Sequence, residues 1–78
     1  MKTFYLKNPL SHDVSTQYNL DGTVIPLTAS AESITKFYNE TLYRHIREYL
    51  VTEIINTRNL WNFDEERQKI RDDIEVKV

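Results

Sequence analysis

This chain has a single glycine, Gly22, and it follows Asp21 between two segments that alternate apolar and polar side chains. Asp-Gly in that setting is the favoured chemistry of a two-residue hairpin, because both turn residues need positive φ and few residues accept it. Before the turn, in an extended run from His12, Val14, Thr16, Tyr18 and Leu20 alternate with Asp13, Ser15, Gln17 and Asn19. That is the period of two of a half-buried strand. After the turn, Thr23 to Leu27 predicts the returning strand, with Pro26 placing it at a sheet edge or near a strand end. One antiparallel pair is fixed, and the rest of the fold must be built around it.

Little material is left for that purpose. The chain has 78 residues, 40% of them apolar, and no cysteine. Below about 70–80 residues a core alone rarely contributes more than about 3–5 kcal/mol, so small folds are usually stapled or assembled. Disulfides and thiolate metal clusters are excluded, which leaves good helices or a partner.

Charge divides the chain. Residues 1–30 hold only Lys2, Lys7, Asp13 and Asp21 among the 10 basic and 12 acidic side chains, whereas residues 31–78 hold the remainder. The first part reads as strands and turns, the second as helices. Thr3 to Lys7 is rich in strand formers and stops at Asn8-Pro9, a turn signal. The segment after residue 30 admits two readings. Ile34, Phe37, Tyr38 and Leu42 fit the stripe of one long helix, but the β-branched and aromatic residues at 34–38 favour a strand from Ser33 to Tyr38. In the second reading Asn39 caps a helix from Glu40 to about Thr57.

On that helix Leu42, Ile46, Tyr49, Leu50 and Ile54 form the face expected to lie on the sheet, and Glu40 pairs outward with Arg44 in the favourable order. Val51 and Ile55 fall on another side. Either the C-terminal helix folds back to cover them, or they form a binding patch for another chain. Beyond Arg58, Leu60, Trp61 and Phe63 make an aromatic turn, and a charged helix follows from about Phe63 to Asp73, with Ile70 and Ile74 on its thin apolar stripe. Asn62 and Glu65 have the spacing of a capping box. Ile74 to Val78 alternates as an edge strand would.

The expected fold is therefore α+β: a small antiparallel sheet of three or four strands packed on one long helix, with a short C-terminal helix. Residues 1–57 form the sheet-plus-helix domain and 58–78 a C-terminal helical or extended segment of the same single domain. The candidate partner-binding residues are Val51, Ile55, Leu60, Trp61, Phe63 and Ile70.

Catalytic and metal chemistry find little support. Ser11-His12-Asp13 has the residue types of a hydrolytic triad, but consecutive side chains on an extended segment diverge. His12 and His45 have no paired ligand spacing, and the only glycine belongs to the hairpin, so no phosphate loop is present. No enzyme, cofactor or metal site is expected. A net charge of −2 argues against holding nucleic acid through its phosphates. No apolar run reaches the length of a membrane span, and the N-terminal run is too short for a signal peptide, so an intracellular protein is expected.

The order of these features resembles a group of small virion structural proteins, of the head or neck, in tailed bacteriophages. A first strand ending in Asn8-Pro9, His12-Asp13-Val14, an Asp-Gly turn, Ile25-Pro26, Phe37-Tyr38, and Leu42 followed by His45-Ile46 and Tyr49-Leu50 follow that group's pattern across about residues 3–57. The chain departs from it at Val14 (phenylalanine in the pattern), Asn39 (proline), Tyr43 (alanine) and Tyr49 (a second histidine). The resemblance implies a virion component made in the host cytoplasm that binds capsid or neck subunits, with a second copy of the chain as a further candidate partner; the charge and hydropathy readings above exclude direct contact with nucleic acid or membrane. The alternative expectation is a small acidic phage inhibitor of a host nucleic-acid enzyme, although Arg67, Lys69 and Arg71 interleave with its acidic residues.

Overall fold

The computed structural model describes residues 2–60 and 63–76, with the Phe63 side chain outside the description. In chain order they form β1 (Phe4–Asn8), β2 (Val14–Leu20), β3 (Thr23–Ala29), β4 (Ser33–Phe37), α1 (Glu40–Arg58), α2 (Phe63–Ile74) and β5 (Glu75–Val76). The class is α+β, as expected, but the strands divide into two antiparallel sheets, ordered β4-β1-β5 and β2-β3.

The division originates at Asn8. Its side chain is wholly buried; Nδ2 donates to the carbonyls of His12 and Ala29, and Oδ1 accepts from the Leu10 amide at 2.9 Å. The turn thus carries the chain out of β1 instead of folding it straight back as a neighbouring strand. β1 takes its partners from far along the sequence, pairing Phe4 with Phe37 on one side and Tyr5 with Val76 on the other. Among the described residues the hairpin pairs only with itself, Val14 opposite Ala29 through Leu20 opposite Thr23. Asp21 and Gly22 both have positive φ, 51° and 84°, and the Gly22 amide donates to Asn19 Oδ1. This is the turn that the single glycine predicts.

Residues 33–37 are a strand, and Asn39 caps α1 by accepting the Leu42 amide at 3.1 Å. The helix stops where Asn59 enters the left-handed region at φ 52°; its amide bonds Asn56 O and the Leu60 amide bonds Ile55 O. Those two bonds make a Schellman motif, with half-buried Leu60 at its apolar position.

The buried arc of α1 differs from expectation. It runs from Ile46 through Tyr43, Leu50 and Ile54 to Val51 and Ile55, about half the circumference at 100° per residue. Tyr49 is 42% exposed, whereas Tyr43 is buried, stacked on Phe4 and tilted against Phe37. The arc is wider because α1 packs on the sheets along one flank and on α2 along the other. Leu50→Ala is expected to destabilise the domain by about 2–5 kcal/mol through the cavity it leaves. Tyr49→Ala, at an exposed position, should cost under about 1 kcal/mol. Paired thermal melts check the contrast, and equal losses would refute the observed orientation of the helix.

α2 is held to α1 by charge as well as by Ile70 and Ile74. Glu48 Oε2 and Oε1 accept from Arg71 Nε and Nη2 at 2.7 and 2.6 Å, and Glu48 Oε2 also accepts from Arg47 Nε. Arg47 in turn reaches Glu75 at 2.8 Å, which ties β5 into the same network. The Arg71 hydrogen bond, more than burial opposes it, holds the Glu48 carboxyl below its ordinary 4.5. A lowered folded value means that Glu48 stabilises the fold above the ordinary carboxylate range and loses that contribution as pH falls through the folded value. Glu48→Gln should therefore cost about 1–2 kcal/mol at neutral pH, discounted for partial exposure, and nothing at strongly acid pH. Melts across an acid series check it.

Candidate partner-binding surface

Of the residues expected to meet a partner, Val51 is fully buried, Ile55 2% exposed and Ile70 4% exposed. They belong to one continuous core with Ile54 and Ile74, so the binding-patch reading of Val51, Ile55 and Ile70 is corrected: α2 folds back on α1 and buries that side. Leu60 is committed to the stop of α1. Trp61 and the Phe63 side chain lie outside the described residues, as does the Asn62 half of the expected capping box.

The chain's triad-like run is dispersed. Asp13 Oδ1 accepts the Ala31 amide at 2.7 Å, His12 lies 3.9 Å from Glu53 on α1, and Ser11 is exposed. His45 is a packed residue, with Nε2 3.1 Å from Gln17 O and its ring edge-on to Tyr18. Among the described residues no group of three or more His, Cys, Asp or Glu is placed to hold a metal ion. No helix among them is long and apolar enough to cross a membrane.

Two exposed apolar side chains, Ile34 and Tyr38, gather elsewhere, at the outer face of the sheet β4-β1-β5. Alternation along each strand fixes which side chains go there. Phe4 and Phe37, opposite each other, meet Tyr43 of α1, and Leu6 on the same inward side is fully buried. The intervening residues must point away from the helix. Tyr5 thus shares the outer face with its register partners Lys36 and Val76, Ile34 continues the face along β4, and Tyr38, in the bend just past the strand, lies against Lys36. Ile34 is 56% exposed and Tyr38 60%.

Lys36 organises this face. Its Nζ lies 5.4 Å from the centre of the Tyr38 ring and 5.9 Å from that of Tyr5, so the ammonium sits between two aromatic rings. Tyr5, Ile34, Lys36 and Val76 include no carboxylate, although the chain as a whole is acidic. The arrangement suits a protein surface that brings apolar groups for the rings and an acceptor for the lysine; aromatic side chains are enriched at interface cores for that reason.

The sequence reading missed this face. Its signal lies in the alternation Ile34, Lys36, Tyr38 against Thr35, Phe37. That pattern puts a large apolar pair on the side opposite the buried phenylalanine. Compared with protein-family models, curated proteins and solved structures, the chain finds no match.

Proposed function

We propose that the chain is a structural or accessory protein of a bacteriophage virion, which docks on capsid or neck subunits through the outer face of β4-β1-β5. The observation that carries the reading is the clustering of Tyr5 and Ile34 on one sheet face with Tyr38 at its end, with two of the three over half exposed in a chain that has little apolar surface to spare. Clustered apolar surface on a small protein marks an interaction site more strongly than isolated residues do. The phage setting rests on the resemblance across residues 3–57. The features that compose it have structural work in the fold: Asn8-Pro9 turns the chain out of β1, Asp21-Gly22 closes the hairpin, and Leu42, Ile46 and Leu50 lie along α1.

Cosedimentation with purified particles, together with mass spectrometry of those particles, tests the proposal. The polypeptide is expected in the particles, and Ile34→Ser with Tyr38→Ala should abolish cosedimentation while leaving the melting temperature within a few degrees, because both side chains are exposed. Virions without the polypeptide, and recombinant protein that stays in the supernatant, would refute it. Recovery of one stoichiometric host enzyme from lysate would point instead to an inhibitor.

A further inference from the structure

The outer face of β4-β1-β5 carries a charge pattern of its own. Leu6 and Asn8 are fully buried on the helix side of β1, so Lys7, between them, points the other way and is exposed. Its register partner is Ile34, as Tyr5 is that of Lys36. The two lysines therefore stand diagonally across the strand pair, with Cβ atoms about 7–8 Å apart, and Ile34 and Tyr5 occupy the other diagonal. Glu75 is the one acidic residue of the three strands. It lies opposite inward-facing Leu6 and reaches back to Arg47 at 2.8 Å, which keeps it off this face.

Neither lysine forms an ion pair among the described residues, although the chain holds 12 acidic side chains against 10 basic ones. By contrast, Arg47, Arg67 and Arg71 all lie within 3.9 Å of Glu48, where they join the helices to each other and to β5. The cations that hold the fold together have carboxylates. Lys7 and Lys36 share one sheet face as like charges, and no carboxylate among the described residues offsets their repulsion.

Lys36 is also preorganised. Its ammonium is held over the rings of Tyr5 and Tyr38, 5.9 and 5.4 Å from their centres, so the side chain has less freedom to lose when a partner arrives. The same contact tells against stacked bases as the occupant, because the ammonium takes a face of each ring that a base would cover. Two lysines are also few for tracking a phosphate backbone. A second copy of this face is disfavoured in its turn, since it would bring lysines against lysines.

We propose that the partner docking on this face is an acidic protein surface that presents a pair of carboxylates about 7 Å apart, one for Lys36 and one for Lys7, together with an apolar side chain that covers Ile34. Same-side neighbours on an extended strand, about 6.4–6.8 Å apart, provide that spacing. The inference rests on the reading of this face as the docking surface and gives its partner a chemistry. Charge complementarity selects the occupant, and the apolar groups beside the lysines exclude water from the pairs.

Cosedimentation of the full chain with purified particles across a salt series tests the proposal. Affinity is expected to fall as salt rises. Lys7→Gln with Lys36→Gln should weaken binding by about tenfold per lysine and flatten the salt dependence. Its melt should stay within a few degrees of wild type, because both side chains are exposed. A control that removes two exposed cations elsewhere, Arg58→Gln with Lys69→Gln, should bind like wild type. A lysine variant that binds like wild type at every salt, or a control that loses as much, would overturn the acidic partner. Docking itself would still stand in that case if Ile34→Ser with Tyr38→Ala fails to bind in the same assay. Binding of a single-stranded DNA oligonucleotide that the lysine variant loses would assign the face to nucleic acid instead, and a wild-type dimer that Tyr38→Ala dissolves would assign it to a second copy. A wild-type chain that stays in the supernatant would remove the docking reading, and the carboxylate pair with it.

Discussion

Val51→Asp together with Ile55→Asp is expected to abolish the cooperative thermal transition of the domain. Both side chains are enclosed between α1 and α2, at 0% and 2% exposure, and the guanidinium nearest that seam, Arg71, is already engaged by Glu48. Each aspartate must be buried charged, buried protonated or released by opening the helix pair, at several kcal/mol by any route. A domain of this length has about 4–12 kcal/mol in total at typical stability per residue. Two such substitutions exceed the lower part of that range. Circular dichroism should show residual helix with no sharp melt, and dye binding should report exposed apolar surface. A sharp melt at the wild-type temperature would mean that this side of α1 is not enclosed, and the fold described above would be wrong there.

Asn8→Ala should have the next largest effect, although the side chain is small and polar. Truncation leaves the Ala29 carbonyl and the Leu10 amide buried without the partners that Asn8 provides. At about 1–3 kcal/mol for each stranded group, partly relieved by relaxation or an entering water, the loss should be about 2–4 kcal/mol. Asn8→Asp separates geometry from chemistry. It keeps the acceptor for Leu10 but turns a carboxylate oxygen toward the carbonyls of His12 and Ala29. At neutral pH it should melt below the alanine variant. Acidification should recover part of the loss, since a protonated carboxyl donates one hydrogen bond where the carboxylate donates none. Chemical denaturation of both variants at neutral and acid pH decides the matter; an Asn8→Ala chain as stable as wild type would remove Asn8 as the organiser of the turn.

Features with local causes were legible in the sequence. Asp21-Gly22 between alternating segments specified the hairpin, and the β-branched and aromatic residues at 34–38 with Asn39 behind them separated β4 from α1. The division into two sheets was not legible, because it depends on β1 choosing partners about thirty and seventy residues away, and pairing at that distance leaves no periodic trace. The enclosure of Val51 and Ile55 was open in the sequence for a related reason. α2 has a thin apolar stripe, and what holds it is in part the pairing of Arg71 with Glu48, twenty-three residues apart. The exchange of Tyr49 for Tyr43 on the buried arc has a long-range cause too, since Tyr43 is buried by Phe4 and Phe37 of the sheet, and neither contact leaves a trace in the helix's own periodicity. The candidate surface was hidden differently. Ile34 and Tyr38 look like core residues by composition, and only the inward direction of Phe37 reveals that they point out.

The two-residue strand β5 has a consequence for how the chain avoids misassembly. β1 contains Phe4-Tyr5-Leu6, the kind of apolar extended segment that recruits other strands when its backbone groups are free. β4 occupies one side of it, and among the described residues the other is closed only where Glu75 and Val76 pair with Leu6 and Tyr5. That closure is anchored from behind by Arg47 on Glu75 and by the helix pair. Any fluctuation that peels α2 from α1 therefore uncovers an aggregation-prone edge on the central strand. The charged C-terminal helix, so thinly apolar in sequence, acts as the latch that keeps that edge shut.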